Sequence, residues 1–119
     1  MSTKETYNGW SNRETWALML QIENDMGLND EFQGLAREVA EGECEYPFLE
    51  LSERIQLRAE VYFTVDAYQE EFGERMPESL QRIAEDIGSL YRVDWAECAR
   101  AFLDDVAENA RFEASKDAN

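Results

Sequence analysis

The sequence predicts one compact all-α domain over residues 1–119, a bundle of about five helices. Three observations lead there. Apolar residues recur at three- and four-residue spacing through most of the chain, which is the period of a single helix face. Cap residues and glycines punctuate those stretches where helices start and stop. At 119 residues, 44% hydrophobic and 12% aromatic, the chain has enough apolar surface for one core and too little length for two.

Ser11 and Glu14 have the S-x-x-E spacing of a capping box, so a first helix is expected from about Asn12 to Asp25. Its stripe is Trp16, Met19, Leu20, Ile22 and Met26, and Gly27 suits the left-handed position after the last turn. Asn29 or Asp30 then caps a second helix with Phe32, Leu35, Ala36 and Val39 inward and Gly42 at its end. Residues 42–48, with Gly42, Pro47 and no period, read as a loop.

From Leu49 to Phe72 one long central helix is expected. Leu51, Ile55, Ala59, Tyr62 and Val65 form one stripe, and Leu57, Val61, Tyr68 and Phe72 a neighbouring one. Residues 61–65 are rich in β-branched and aromatic types and also suit a short strand, although length favours helix. Pro77 fits the first turn of a fourth helix that turns Leu80, Ile83, Ala84 and Ile87 inward and stops at Gly88. Asp94 and Glu97 repeat the capping-box spacing, with Val93 placed to staple against Cys98. The last helix turns Cys98, Ala99, Phe102, Leu103, Val106 and Ala110 inward, and segments 1–8 and 113–119 are expected to fray.

Several chemistries are excluded by composition. With no histidine, Ser-His-Asp and Cys-His catalysis, HExxH zinc sites and Cys/His zinc fingers are all ruled out. No Gly-rich phosphate loop is present. The polar run from Asn24 to Glu31 lacks the ligand order of a calcium loop. Cys44 and Cys98 have no CxxC spacing and read as small apolar residues in a reducing compartment. The expectation is a binding protein rather than an enzyme, with no cofactor and no metal. There is no secretory pattern at the N-terminus and no apolar run near the ~20 residues that span a bilayer, which points to a cytoplasmic location and no membrane partner.

Charge is the dominant feature. Twenty-seven acids against eleven bases leave −16, and residues 38–80 alone carry twelve acids and three bases, or −9. Scattered arginines among so many carboxylates offer no basic face, so direct nucleic-acid binding is disfavoured. Glu41, Glu43, Glu45, Glu50 and Glu53 cluster around the expected loop, and Asp66, Glu70 and Glu74 recur every four residues along the expected long helix. Like charges at that spacing stand about 6 Å apart and repel. These eight are the candidate partner-binding residues. Such a row is a solvated face, or it imitates the phosphates of a duplex and docks on a basic DNA-binding protein. A second candidate is an apolar face at Tyr62, Tyr68 and Phe72, suited to an assembly partner or to a homodimer. Trp10, Trp16 and Trp95 read as core anchors, with Trp10 or Tyr7 the alternative contributors to a binding surface.

Residues Tyr7 to Trp16, followed by Ile22 to Gly27, resemble the N-terminal "NGWxNxETW … NDxG" signature of small acidic proteins from phages and mobile elements. Val93 to Ala99 is similar to that family's W-x-E-I-A segment, with Cys98 in place of Ile. The resemblance implies a source, a phage, prophage or plasmid, rather than an activity. Small acidic proteins of that origin are similar in character to anti-restriction and anti-CRISPR DNA mimics. From this follows the leading expectation: an inhibitor that evades host defence by covering the basic DNA-binding surface of a host protein or nuclease complex.

Overall fold

A computed structural model describes residues 7–117, with side chains through residue 112. It contains six α-helices among the described residues: α1 (Arg13–Asn24), α2 (Met26–Glu41), α3 (Pro47–Phe63), α4 (Val65–Phe72), α5 (Glu78–Ile87) and α6 (Trp95–Asp117), with a short 3-10 turn at Leu90–Arg92. The all-α expectation holds, with six helices in place of five. No strand forms at 61–65; the described residues contain a single isolated bridge, between Tyr7 and Trp10.

That bridge revises the expectation for the N-terminal segment. Asn8 and Gly9 both take positive φ, 49° and 90°, as a tight hairpin turn requires. Tyr7 and Trp10 exchange backbone hydrogen bonds of 2.7 and 2.8 Å, so residues 7 and 8 are folded rather than frayed. Residues 1–6 lie outside the described part. At the other end α6 continues through Asp117, so the helix extends well into the segment expected to fray.

The first two caps differ from the expected ones. Asn12, not Ser11, caps α1: its Oδ1 accepts from the Thr15 backbone N–H at 2.9 Å. Asp25 alone separates α1 from α2. Its N–H donates to Ile22 at 3.3 Å, and its carboxylate accepts from the Leu28 N–H at 3.0 Å, so one residue ends a helix and starts the next. Gly27 therefore lies inside α2, and Met26 is 82% exposed instead of completing the stripe of α1. Pro47 begins α3 at N1, two residues before the expected start, where its missing N–H costs nothing.

The largest change is at Thr64, whose extended backbone (φ −120°, ψ 123°) divides the expected long helix into α3 and α4. Phe63 is buried at the end of α3, while Val65 is half exposed. The chain then turns back. Phe72, at the end of α4, stacks on Tyr62 near the end of α3, with ring centroids 5.9 Å apart, and meets Tyr68 at a tilt, 4.6 Å away. The two neighbouring apolar stripes seen in the sequence thus belong to two helices of a hairpin. No residue of α4 is fully buried, so these aromatic contacts are its main attachment.

The core joins α1, α2, α3, α5 and α6 through Leu18, Ile22, Phe32, Leu51, Ile55, Ile87, Cys98 and Phe102. Phe32 of α2 stacks on Phe102 of α6 with centroids 6.1 Å apart. Each such fully buried side chain contributes about 1.5–3 kcal/mol through loss of apolar surface to water. Val93 and Cys98 are both in the core, consistent with a staple at the start of α6. Ala110, expected inward, is exposed.

A polar clasp fastens the start of α1 to the start of α6. Asp94 caps α6 by accepting from the Glu97 N–H at 3.1 Å. In a local capping box Glu97 would return to the Asp94 N–H; here it accepts from the Ser11 N–H at 2.9 Å. The Asp94 N–H instead donates to the Thr15 hydroxyl, and the Asn12 amide donates to the Arg92 carbonyl at 2.7 Å. Arg13 completes the set by reaching the C-terminus of α5, donating to the Asp86 and Ile87 carbonyls at 2.7 and 3.3 Å. The two sequence motifs, far apart in the chain, form one structural joint.

Candidate functional site

The acidic candidates fall into two groups. Glu41 is the last residue of α2, Glu43 and Glu45 lie on the link to α3, and Glu50 and Glu53 are in the first turns of α3. This corner collects five carboxylates because α2 ends at Glu41 and α3 starts again after only five intervening residues, 42–46. Asp66 and Glu70 lie one turn apart on α4. Glu74 does not continue their row: Gly73 takes a left-handed conformation (φ 68°) that ends the helix and redirects the chain. Gly73 was the sequence signal for that break.

Seven of the eight, Glu41, Glu43, Glu45, Glu53, Asp66, Glu70 and Glu74, are exposed and make no ion pair or side-chain hydrogen bond among the described residues. Glu50 is different. It accepts from Arg54 Nε at 2.9 Å, and Arg54 also reaches Glu38 at 3.5 Å. Its charge is locally matched, which makes it the weakest of the eight as a partner contact.

The hairpin adds acids that the sequence pattern did not single out. Glu71 of α4 and Glu38 of α2 line the same open groove, about 420 Å³, together with Leu35, Arg54, Leu57 and Phe72. The end of α4 therefore returns to the end of α2. On one straight helix Glu71 would stand about 30 Å along the axis from Glu50, so only the break at Thr64 brings it back to α2.

The position of the acids within the helices is informative. The C-terminal end of a helix is the negative end of its dipole, where cations are favoured and carboxylates cost about 0.3–1 kcal/mol. No basic residue occupies the last turn of any of the first five helices. Acids occupy all five: Glu23; Glu38 and Glu41; Glu60; Glu70 and Glu71; Glu85 and Asp86. This distribution opposes helix stability at those ends, relieved at α5 by the Arg13 guanidinium on its last carbonyls and at α2 by Arg54 beside Glu38.

Glu31, Arg58, Tyr62 and Cys98 have structural roles. Glu31 accepts from Arg58 Nη1 at 2.8 Å and from the Tyr62 hydroxyl at 2.5 Å, tying α2 to α3. Burial, then the bond and charge of Glu31, raise the Tyr62 pKa above the usual tyrosine value. The Cys98 thiol is pushed up to about 12 by burial, with Glu97 and Asp94 adding to the effect. Cys44 is half-exposed and free on the link after α2. Tyr62, Tyr68 and Phe72, the apolar candidates, are largely engaged with one another. Trp10 packs on the core, and Tyr7, 41% exposed, lies against Trp16 at 4.8 Å. Among the described residues no three His, Cys, Asp or Glu are grouped to hold a metal, and no helix is long and apolar enough to cross a membrane.

Fold and surface together define a small all-α protein whose carboxylates are concentrated at exposed helix ends. The chain belongs to DUF7249, a family of unknown function, whose model matches residues 3–111. No curated protein and no solved structure matches it.

Proposed function

We propose that the protein acts by binding, presenting its acidic surface to the basic DNA-binding face of a partner protein as a DNA mimic. The observation that carries this reading is the set of seven exposed carboxylates without intramolecular partners among the described residues, set in a protein whose C-terminal helix turns carry acids against their dipoles. Charge placed at a cost to the fold is consistent with selection for an external contact. The partner in this reading is a host defence complex, of the CRISPR or restriction type, and the protein a cytoplasmic inhibitor from a phage or mobile element. It needs neither catalytic chemistry nor a cofactor, and it does not itself bind nucleic acid.

The end of α2, the link 42–46 and the start of α3 form the main contact, through Glu41, Glu43, Glu45 and Glu53. Asp66, Glu70 and Glu74 extend it along the hairpin, and Glu50 contributes less because Arg54 neutralises it. The test is capture from a lysate of bacteria that carry both defence systems, followed by elution with salt and, separately, with duplex DNA. A DNA-handling protein released by both is the expected result. Replacing Glu41, Glu43, Glu45 and Glu53 by Lys should abolish capture while leaving helicity unchanged. Capture that persists in that folded variant sinks the reading.

A second reading rests on the groove beside Leu57 and Phe72, which are 64% and 43% exposed. It makes the protein an assembly factor or a homodimer that binds through apolar surface. Binding indifferent to salt would favour it.

A further inference from the structure

A second groove, about 720 Å³, opens on the face where the start of α6 and the 3-10 turn meet α3 and α4. Gln56, Glu60, Thr64, Leu90, Tyr91 and Trp95 line most of it. Tyr91 is 99% exposed, the most exposed large apolar side chain among the described residues. A fully hydrated aromatic ring adds nothing to the core, although its neighbours Leu90 and Val93 do pack there. Trp95, half-buried, lines the same groove.

The electrostatics of this groove select its occupant. Among its lining residues Glu60 is the one charged at neutral pH, and the Gln56 amide donates to its Oε1 at 3.1 Å, which leaves Oε2 available. The adjacent cation, Arg92, faces Glu14 at 3.5 Å. Two aromatic faces next to a carboxylate form a site for a flat cation, since guanidinium stacks on aromatic rings and pairs with carboxylates at once. We infer that this groove holds an arginine side chain of an extended segment on a basic protein partner, stacked on Tyr91 and Trp95 and paired with Glu60. It gives the partner an anchor separate from the acidic corner at 41–53. The inference rests on the proposed function only in taking the partner to be basic.

The test is an NMR titration of the full chain with two blocked heptapeptides of alanine and glycine, one with a central arginine and one with citrulline, its uncharged counterpart. The arginine peptide should shift the Trp95 indole signal and the amides of Leu90 to Arg92, and the citrulline peptide should not. Tyr91→Ala and Glu60→Gln should each weaken the arginine peptide about threefold to tenfold. Both positions lie outside the core, so folding is preserved and is checked by circular dichroism. Equal binding of the two peptides, no shift at Trp95, or shifts confined to residues 41–53 would overturn the inference. The last result leaves the acidic-surface reading standing. Conversely, loss of that reading by charge reversal leaves a Trp95 response to arginine intact.

Discussion

The Thr15 hydroxyl accepts a hydrogen bond from the Asp94 backbone N–H at 2.9 Å, joining two residues 79 apart in the chain. The same hydroxyl donates to Asn12 Oδ1 at 2.8 Å, and Thr15 is the one fully buried polar side chain among the described residues. It therefore serves two helix N-termini at once: the cap of α1 and the cap residue of α6.

Replacing Thr15 with Val keeps the shape and removes both bonds. The Asp94 N–H loses its partner away from water, which costs about 1–3 kcal/mol. The urea midpoint should fall with the slope unchanged. A midpoint equal to that of the parent would show that the clasp contributes nothing.

Tyr62→Phe removes the bond to Glu31 that helps hold α2 against α3. A loss of about 1–2 kcal/mol is expected, because the acceptor is a carboxylate. The folded-state pKa of Tyr62 is raised, so the stabilising contribution is complete below the ordinary tyrosine value of 10.0 and is lost as pH rises past it. Absorbance titration should show one tyrosine ionising later than the rest, and Tyr62→Phe should delete that late component.

The two cysteines should differ in reactivity. Cys98, at about 12, carries almost no thiolate at pH 8 and is enclosed, so only Cys44 should react with a maleimide in the native protein. Mass spectrometry should find a single label before denaturation and two after. Because folding keeps Cys98 protonated, its contribution to stability is present below pH 9.0 and declines between there and about 12. A Cys98→Ala variant should show less alkaline destabilisation over that range.

Glu41→Gln should make the protein more stable, by about 0.3–1 kcal/mol at low salt, because it removes a negative charge from the C-terminal turn of α2. Added salt should shrink the difference. If the variant is instead less stable in thermal unfolding, the acids at the helix ends are serving the fold.

Much of this architecture was legible in local pattern. The inward face of α2, Phe32, Leu35, Ala36 and Val39, follows directly from its period, and Asp94 caps α6 as its spacing predicts. Local pattern failed where distant residues decide. Ser11 matched a capping box, yet its N–H and hydroxyl go to Glu97 and Asp94, 86 and 83 residues away. The break at Thr64 was hidden because both arms of the hairpin carry apolar residues at helical spacing, and the extended Thr64 backbone with the Tyr62–Phe72 stack distinguishes two facing helices from one long one. Of the acidic site, the corner at residues 41–53 was readable, because a cluster of carboxylates around a short link needs no tertiary information. The position of Glu74 and the return of Glu71 toward Glu38 depend on Gly73 and Thr64, so they emerged only with the fold.

The clasp also sets a timetable for synthesis. Thr15 leaves the ribosome 79 residues ahead of Asp94, an interval of about 4–16 s at ordinary elongation rates. Through that time the buried hydroxyl of Thr15 has no distant partner and α6 is missing from the core. The nascent chain stays unlocked until α6 has been made, and its high net negative charge opposes association with neighbouring chains during the wait.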